Sequence, residues 1–214
     1  MAEQNRPATS EEQQVLAGWS SWGAIPQIFD ESRQYWPADV RAELWSLLSE
    51  AEWAAARRTT INAHYTDPAI VSAMWTAVQQ LGLTAGQVLE PGCGSGTFIG
   101  LAPEGMQMTG VELDPTTARI AQALYPAATV RGESFADTRY SSGTFDAAIG
   151  NVPFGDVRLH DRRHNPNNHS LHNHFIVKSL DLVRPGGVVP CSLPTSRWTR
   201  RIPVRGGRCT TRPT

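Results

Sequence analysis

Asn151-Val152-Pro153-Phe154 closes the stretch AAIGNVPFG, residues 147–155. Small and apolar residues run into a side-chain amide, followed at once by a proline and an aromatic ring. A turn explains this composition, because Asn and Gly tolerate turn backbones and Pro fixes φ. A reacting group does so equally: an amide oxygen at the end of a strand can accept a hydrogen bond from a ligand, and a ring beside it can stack. Gly92, Gly94 and Gly96 in PGCGSGTF, residues 91–98, form a second candidate. Without Cβ atoms the chain can turn sharply there and lie against a ligand. Glu112 stands sixteen positions after Gly96. A carboxylate so placed can accept both hydroxyls of a ribose, as in nucleotide-binding sheets, and a nicotinamide dinucleotide is one such ligand.

The elements that must position these residues can be read from the pattern. The segment 87–90 reads as a strand, followed by the glycine loop and at most a short helix. Strands are predicted at 108–113, 129–134, 145–151 and 186–192, and helices at 116–125 and 174–183. Alternating strands and helices imply an α/β, doubly wound parallel sheet with ligands at the carboxyl ends of the strands. Before it, apolar residues at helical spacing predict one helix over 38–58. Asp67-Pro68 starts another that runs to about Leu81, with Asp as N-cap and Pro at the first position. Residues 1–37 read as a polar arm that begins disordered, then a segment whose Trp19, Trp22, Phe29 and Trp36 pack onto the domain. The expected organisation is therefore 1–37, a helical extension at 38–84, the main domain at 85–192, and a basic, disordered tail at 193–214.

The motifs in order are similar to those of class I S-adenosylmethionine-dependent methyltransferases, whose core is a Rossmann-like sheet. VLEPGCGSGTF and GVELDP resemble the first two motifs of that class, including an acidic residue in the glycine motif, here Glu90. That carboxylate would repel a pyrophosphate and tolerates a sulfonium with its amino group, which favours S-adenosylmethionine over NAD. NVPF resembles the Asn-Pro-Pro-aromatic motif of amino-group methyltransferases, with Val152 where the family usually has Pro. INAHYTDP, residues 61–68, stands before the glycine loop as in gamma-class N6-adenine DNA methyltransferases. Val-Pro-Phe-Gly is similar to a subgroup within large phage- or plasmid-borne proteins that join a methylase to a helicase.

The resemblance implies transfer of a methyl group to adenine N6 in DNA. Asn151 and the carbonyl of Val152 would take the two N–H bonds of the amino group, with Pro153 the next motif residue and Phe154 stacking on the base. A paired base is out of reach, so the target would be flipped out or single-stranded. Tyr65, Thr66, Glu90, Gly92, Gly94, Gly96, Phe98 and Glu112 would hold the cofactor, and Phe135 in GESFAD would contact it or the adenine. The same geometry serves a protein glutamine or an RNA base, and a cofactor-binding fragment of a larger DNA-modifying protein is a third reading.

Charge and composition add bounds. The net charge is −1, yet residues 190–214 hold six Arg and no acid, so residues 1–189 carry −7. A basic end can touch nucleic acid, and an unstructured end has the same composition. The acidic body opposes tight DNA binding by this chain alone. Three cysteines, Cys93, Cys191 and Cys209, have no pairing pattern, and neither a signal peptide nor an apolar span of membrane length is present. These suit a cytoplasmic protein. Five histidines crowd RLHDRRHNPNNHSLHNH, residues 158–174, without a metal-ligand spacing. A loop touching phosphates or bases and a merely solvated loop are both open. Five strands are legible where the family sheet has seven. We therefore expect the front part of a longer protein, cut short where the chain turns Arg- and Pro-rich, with strand five left as an edge and a helicase or target-recognition region beyond.

Overall fold

A computed structural model describes residues 6–30, 36–60 and 66–192. At its centre, five strands run in parallel: β1 Gly86–Pro91, β2 Met106–Glu112, β3 Thr129–Gly132, β4 Phe145–Ala148 and β6 Val183–Val188. Their order is β3-β2-β1-β4-β6. The chain builds one way from β1, then returns to build the other way from β4. The switch point therefore lies between β1 and β4, where an open α/β sheet has its crevice. Val88 pairs with Ala147 across it, and Leu89 with Ala148. This is the Rossmann-like α/β architecture with N-terminal helices, and its main sheet is wholly parallel.

Helices cover both faces. α4 Pro68–Gln80, α5 Thr97–Gly100 and α6 Pro115–Leu124 lie on the side where Val71, Trp75, Val78, Phe98, Ile99 and Ala121 form a core with β1 and β2. α4 starts as its sequence dictates, with the Asp67 side chain capping Ala69 N–H at 2.7 Å and Pro68 in the first turn. α7 Leu171–Leu182 covers the other face with Phe175, Leu182, Phe135 and Phe145.

Several predicted boundaries moved. The helix expected over 38–58 is two helices, α2 Ala38–Leu47 and α3 Glu50–Thr59. Leu48 takes an extended backbone, and Ser49 begins a new helix through a reciprocal capping box with Glu52. The arm expected to be disordered carries a helix, α1 Ser10–Ala17, capped in the same way by Thr9 and Glu12. The fourth strand is interrupted at Ile149, and Gly150–Asn151 forms β5, which pairs in parallel with β7 Cys191–Ser192 as a separate two-stranded sheet. The fifth strand starts three residues early, because α7 ends directly in the extended Val183. An aromatic cluster of Trp22, Phe29 and Trp53, joined by Trp19 and Trp45, packs the N-terminal segment together edge to face. Trp19 Nε1 donates to Thr117 Oγ1 at 3.2 Å and so ties the cluster to α6. Among the described residues no helix is long and apolar enough to cross a membrane. The basic stretch 193–214 lies outside the described residues.

Candidate functional site

The carboxyl ends of β1, β2 and β4 open on one cavity of about 820 Å³. Glu90, Gly92, Gly94, Phe98, Glu112 and Phe135 all line it, as do Thr66, Asn151 and Pro153. Residues 61 positions apart along the chain, Glu90 and Asn151, meet here because β1 and β4 are neighbours at the switch point. Ile149 N–H donates to Leu89 O at 2.8 Å, which carries the strand past the β1 end and delivers Gly150 and Asn151 beside the glycine loop. A Cβ on Gly150 would lie 3.6 Å from Glu90 Cγ, and one on Gly92 would lie 3.5 Å from Pro153 Cδ. Each loop thus approaches closely where the other has its glycine or proline.

Two of the three loop glycines face the cavity and the third does not. Gly94 has φ +55° and its N–H donates to Glu112 Oε2 at 3.0 Å. Gly96 has φ +90°, is buried and is absent from the cavity lining; a Cβ there would sit 2.7 Å from the Tyr125 ring. Its role is to turn the chain into α5 under that ring. Val152 is also absent from the lining: its side chain is buried in the core with Leu171 and Phe175. Phe154 is partly buried and lies outside the cavity lining. Tyr65 lies outside the described residues.

The carboxylates define the electrostatics. Glu112 accepts from Gly94 N–H and, through Oε1, from Asp114 N–H at 2.8 Å. Each of its oxygens keeps a lone pair for a ligand donor. Burial raises its carboxyl, and the backbone donors offset part of that. Glu90 is buried, and burial pushes its carboxyl well above the ordinary carboxylate range, with the neighbouring Glu112 charge adding to the rise. Its Oε2 has no hydrogen-bond partner. Asp114 is another buried acid on the same wall. Its Oδ2 accepts from Trp22 Nε1 at 3.1 Å and from Thr117 N and Oγ1 at 2.9 and 2.7 Å, while Oδ1 is unpartnered. Two buried acceptor oxygens without partners on one cavity wall form an environment that a donor-bearing ligand would satisfy.

Sequence reasoning missed the rest of the wall. Trp22, Arg58 and Thr59 bring the N-terminal segment and α3 to the cavity, and Leu159, Leu171 and Phe175 form its apolar side. Asp114 stood inside the quoted GVELDP motif. The others gave no local signal, because they reach the cavity through packing with α6 and across the sheet edge.

The histidines divide by burial. His164 and His174 are buried, and both contact Asp161 Oδ2, at 3.2 Å through Nδ1 and 3.1 Å through Nε2 respectively. His164 Nε2 also lies 3.0 Å from Asp181 Oδ2. Asp161 Oδ1 accepts from the backbone N–H groups of Arg163 and His164, each at 3.1 Å. For these two histidines the structure replaces both the solvated-loop and the nucleic-acid-contact expectations with a buried hydrogen-bonded cluster. Among the described residues no group of His, Cys, Asp and Glu is arranged to hold a metal ion.

His174 carries a pH prediction. Burial lowers its pKa, against the pull of Asp161 and with the help of the Lys178 and His164 charges. Its Nδ1 is buried without a partner, so protonation would leave an N–H unsatisfied. The folded chain therefore binds fewer protons at this ring than the unfolded chain, whose histidine titrates near about 6.5. Stability falls as the pH drops through that value. Thermal melts between pH 7 and 5 are expected to show His174→Gln, which keeps a donor at the ε position, with a shallower slope, by up to about 1.4 kcal/mol per pH unit.

No family model matches the chain. A curated relative, defence against restriction protein B of Escherichia phage P1, is 30% identical over 158 residues. The match covers 70% of this chain and 7% of that protein, so the chain spans a small part of its relative's length. Among solved structures, an S-adenosyl-L-methionine-dependent methyltransferase of Methanococcus maripaludis, named as putative, aligns over 58% of this chain and 56% of its own at 12% identity, with a TM-score of 0.42. An RNA methyltransferase of Pyrococcus horikoshii, likewise named as putative, aligns over 56% and 59% at 18% identity, with a TM-score of 0.43. The sugar N-methyltransferase KedS8 of a Streptoalloteichus species aligns over 58% and 47% at 20% identity, also with a TM-score of 0.43.

Proposed function

We propose that this chain transfers a methyl group from S-adenosylmethionine to an exocyclic amino group, and that the acceptor is N6 of adenine in DNA. One observation carries the reading: Asn151, in β5 just past the end of β4, shares a cavity with Glu90 and Glu112 at the switch point. The unpartnered oxygens of Glu90 and Asp114 fit a cofactor rich in donors and bearing positive charge. Glu112 would accept the ribose hydroxyls, Glu90 and the backbone at Gly92 and Gly94 would face the methionine end, and Phe135 would border the adenine. When bound, S-adenosylmethionine supplies an electrophilic methyl group on a sulfonium centre.

The acceptor side follows from Asn151. An adenine amino nitrogen is a poor nucleophile because its lone pair is delocalised into the ring. Asn151 Oδ1 accepts one of its N–H bonds and the main-chain carbonyl of Val152 the other, which draws the nitrogen toward tetrahedral geometry. This is orientation and electrostatic stabilisation: neither group needs to remove a proton before transfer, and the methylated nitrogen would release its extra proton to water afterwards. The pairing of Gly150–Asn151 with Cys191–Ser192 and the burial of Val152 hold the motif rigid for that role. Restriction acts on DNA according to its modification, so a relative named for defence against restriction supports DNA as the polymer. On this reading the chain serves as one module of a larger protein, whose helicase or target-recognition region presents the base.

The direct test uses cofactor with a labelled methyl group and matched DNA, RNA and protein substrates. N6-methyladenine in DNA is the expected product; label found only in RNA or only in protein glutamine overturns the assignment of substrate. Glu90 provides a separate prediction. Its raised carboxyl holds a proton that an unfolded Glu releases near about 4.3, so ionisation of Glu90 burdens the folded state increasingly as the pH rises above that value. Glu90→Gln is expected to melt higher than wild type at pH 8, with the gap closing toward pH 4. The same change weakens binding of S-adenosylhomocysteine by about 10–100-fold, the worth of a hydrogen bond to a charged group. Calorimetry and melting curves read the two effects, and a variant that binds as wild type does would detach Glu90 from the cofactor.

A further inference from the structure

Lys178 is 1% exposed, on the face of α7 that points into the core. Its ammonium donates to the carbonyls of Phe135, Ala136 and Thr138, the last two at 3.2 Å, and to Asp161 Oδ2 at 3.2 Å. It also lies 4.9 Å from the centroid of the Phe135 ring. Phe135 in turn packs on Phe175 with centroids 4.9 Å apart, and both rings line the cavity. Asp161 comes from the loop that follows the Asn151 motif. The turn that carries Phe135 is thus joined, at one buried charge pair, to the loop after Asn151 and to α7, which follows that loop.

A buried ammonium is expensive unless it is paired and its donors are satisfied, and here four oxygens do so. Three of the four belong to the turn that brings Ser134 and Phe135 to the cavity. Packing alone would fill this space with an apolar side chain at lower cost. We propose that Asp161 and Lys178 are positioning residues: together they fix Phe135 against the cavity, so that a pair touching no ligand sets affinity for the adenosine end of the cofactor. The inference rests on the reading of the cavity as a cofactor site. It makes the wall preformed, with Phe135 held in place before any ligand arrives.

Calorimetric titration of the full chain with S-adenosylhomocysteine tests it, using Asp161→Asn/Lys178→Met, Phe135→Ala, and the triple combination. Each of the first two is expected to weaken binding about tenfold, the worth of one well-placed ring contact. The triple variant should bind within about twofold of Phe135→Ala alone, since effects that pass through one group do not add. Wild-type affinity in Asp161→Asn/Lys178→Met, or a triple variant that loses the product of both effects, overturns the proposal. A wild-type chain that binds no S-adenosylhomocysteine fails the cofactor reading instead. Should the charge-free pair not melt cooperatively, the wild-type chain decides. Backbone amides of residues 136–138 must exchange slowly before ligand is added, and protection that arises only on ligand addition rejects a preformed wall.

Discussion

Asn151→Ala is expected to lower the rate of methyl transfer by about 10²–10³-fold while leaving affinity for S-adenosylhomocysteine within about threefold of wild type, the pattern of a lost transition-state contact. The asymmetry follows from where the residue sits. Its backbone pairs with Ser192 in β5–β7. The groups proposed to hold the cofactor belong to β1, the loop after it, β2 and the turn at Phe135. Truncation at Cβ therefore removes an acceptor for the substrate amino group and leaves the cofactor walls standing. Asn151→Asp gives a sharper control, because a carboxylate keeps an acceptor oxygen but adds a further acid to a cavity already lined by Glu52, Glu90, Glu112 and Asp114. Single-turnover rates and calorimetry on the same preparations separate the two quantities. If binding and transfer decline together in Asn151→Ala, the residue is holding the loop in place and the proposed acceptor chemistry loses its centre.

What the sequence revealed and what it concealed follow a physical division. The glycine loop, Glu112 and Asn151 could be read because a doubly wound sheet places the ends of β1, β2 and β4 side by side whatever the helices do between them. Local chemistry then names the residues. The boundary at Leu48–Ser49 was legible in principle, since Ser49-x-x-Glu52 is a capping box, but the apolar spacing of Leu44, Leu47, Leu48 and Ala51 carries the helical pattern straight across it. The Thr9–Glu12 box was hidden in a composition that reads as a polar arm. The N-terminal wall of the cavity is a different matter. Trp22 reaches Asp114 across 92 positions, and nothing near either residue announces the other. The buried cluster is likewise built from separations of 17 positions for Lys178–Asp161 and 43 for Lys178–Phe135. A histidine-rich string looks alike whether its rings face solvent or a buried aspartate; only the packing of α7 against the loop decides.

That packing makes the stability of the Asp161–Lys178 pair the second large effect. Asp161→Asn leaves a buried ammonium without its counter-charge, and Lys178→Met leaves a buried carboxylate without its cation. Each is expected to cost about 3–5 kcal/mol, the usual penalty for removing one partner of a buried pair, and to lower the melting temperature by on the order of 10 °C for a domain of this size. Removing both charges together should restore most of that loss. The carbonyls left by Lys178 keep other donors: Thr138 Oγ1 reaches Phe135 O at 2.9 Å, and Arg139 Nη1 reaches the Ala136 and Thr138 carbonyls at 3.5 and 3.4 Å. The pH dependence has a fixed sign. Burial alone would raise the Asp161 carboxyl, but the His164 backbone N–H, His174 and Lys178 together hold it well below the usual range. Its contribution is therefore present in full above about 3.9, the ordinary carboxylate value, and is lost only as the pH falls from there through its depressed value in the folded state. The carboxyl itself thus adds no pH dependence near neutrality, but burial already lowers the Lys178 ammonium against the pull of Asp161, so without that pull Lys178 sheds its proton more readily and the penalty in Asp161→Asn should grow as the pH falls from 8 to 6. A double variant as unstable as either single one would show that shape complementarity, and not charge, holds the turn, the loop and α7 together.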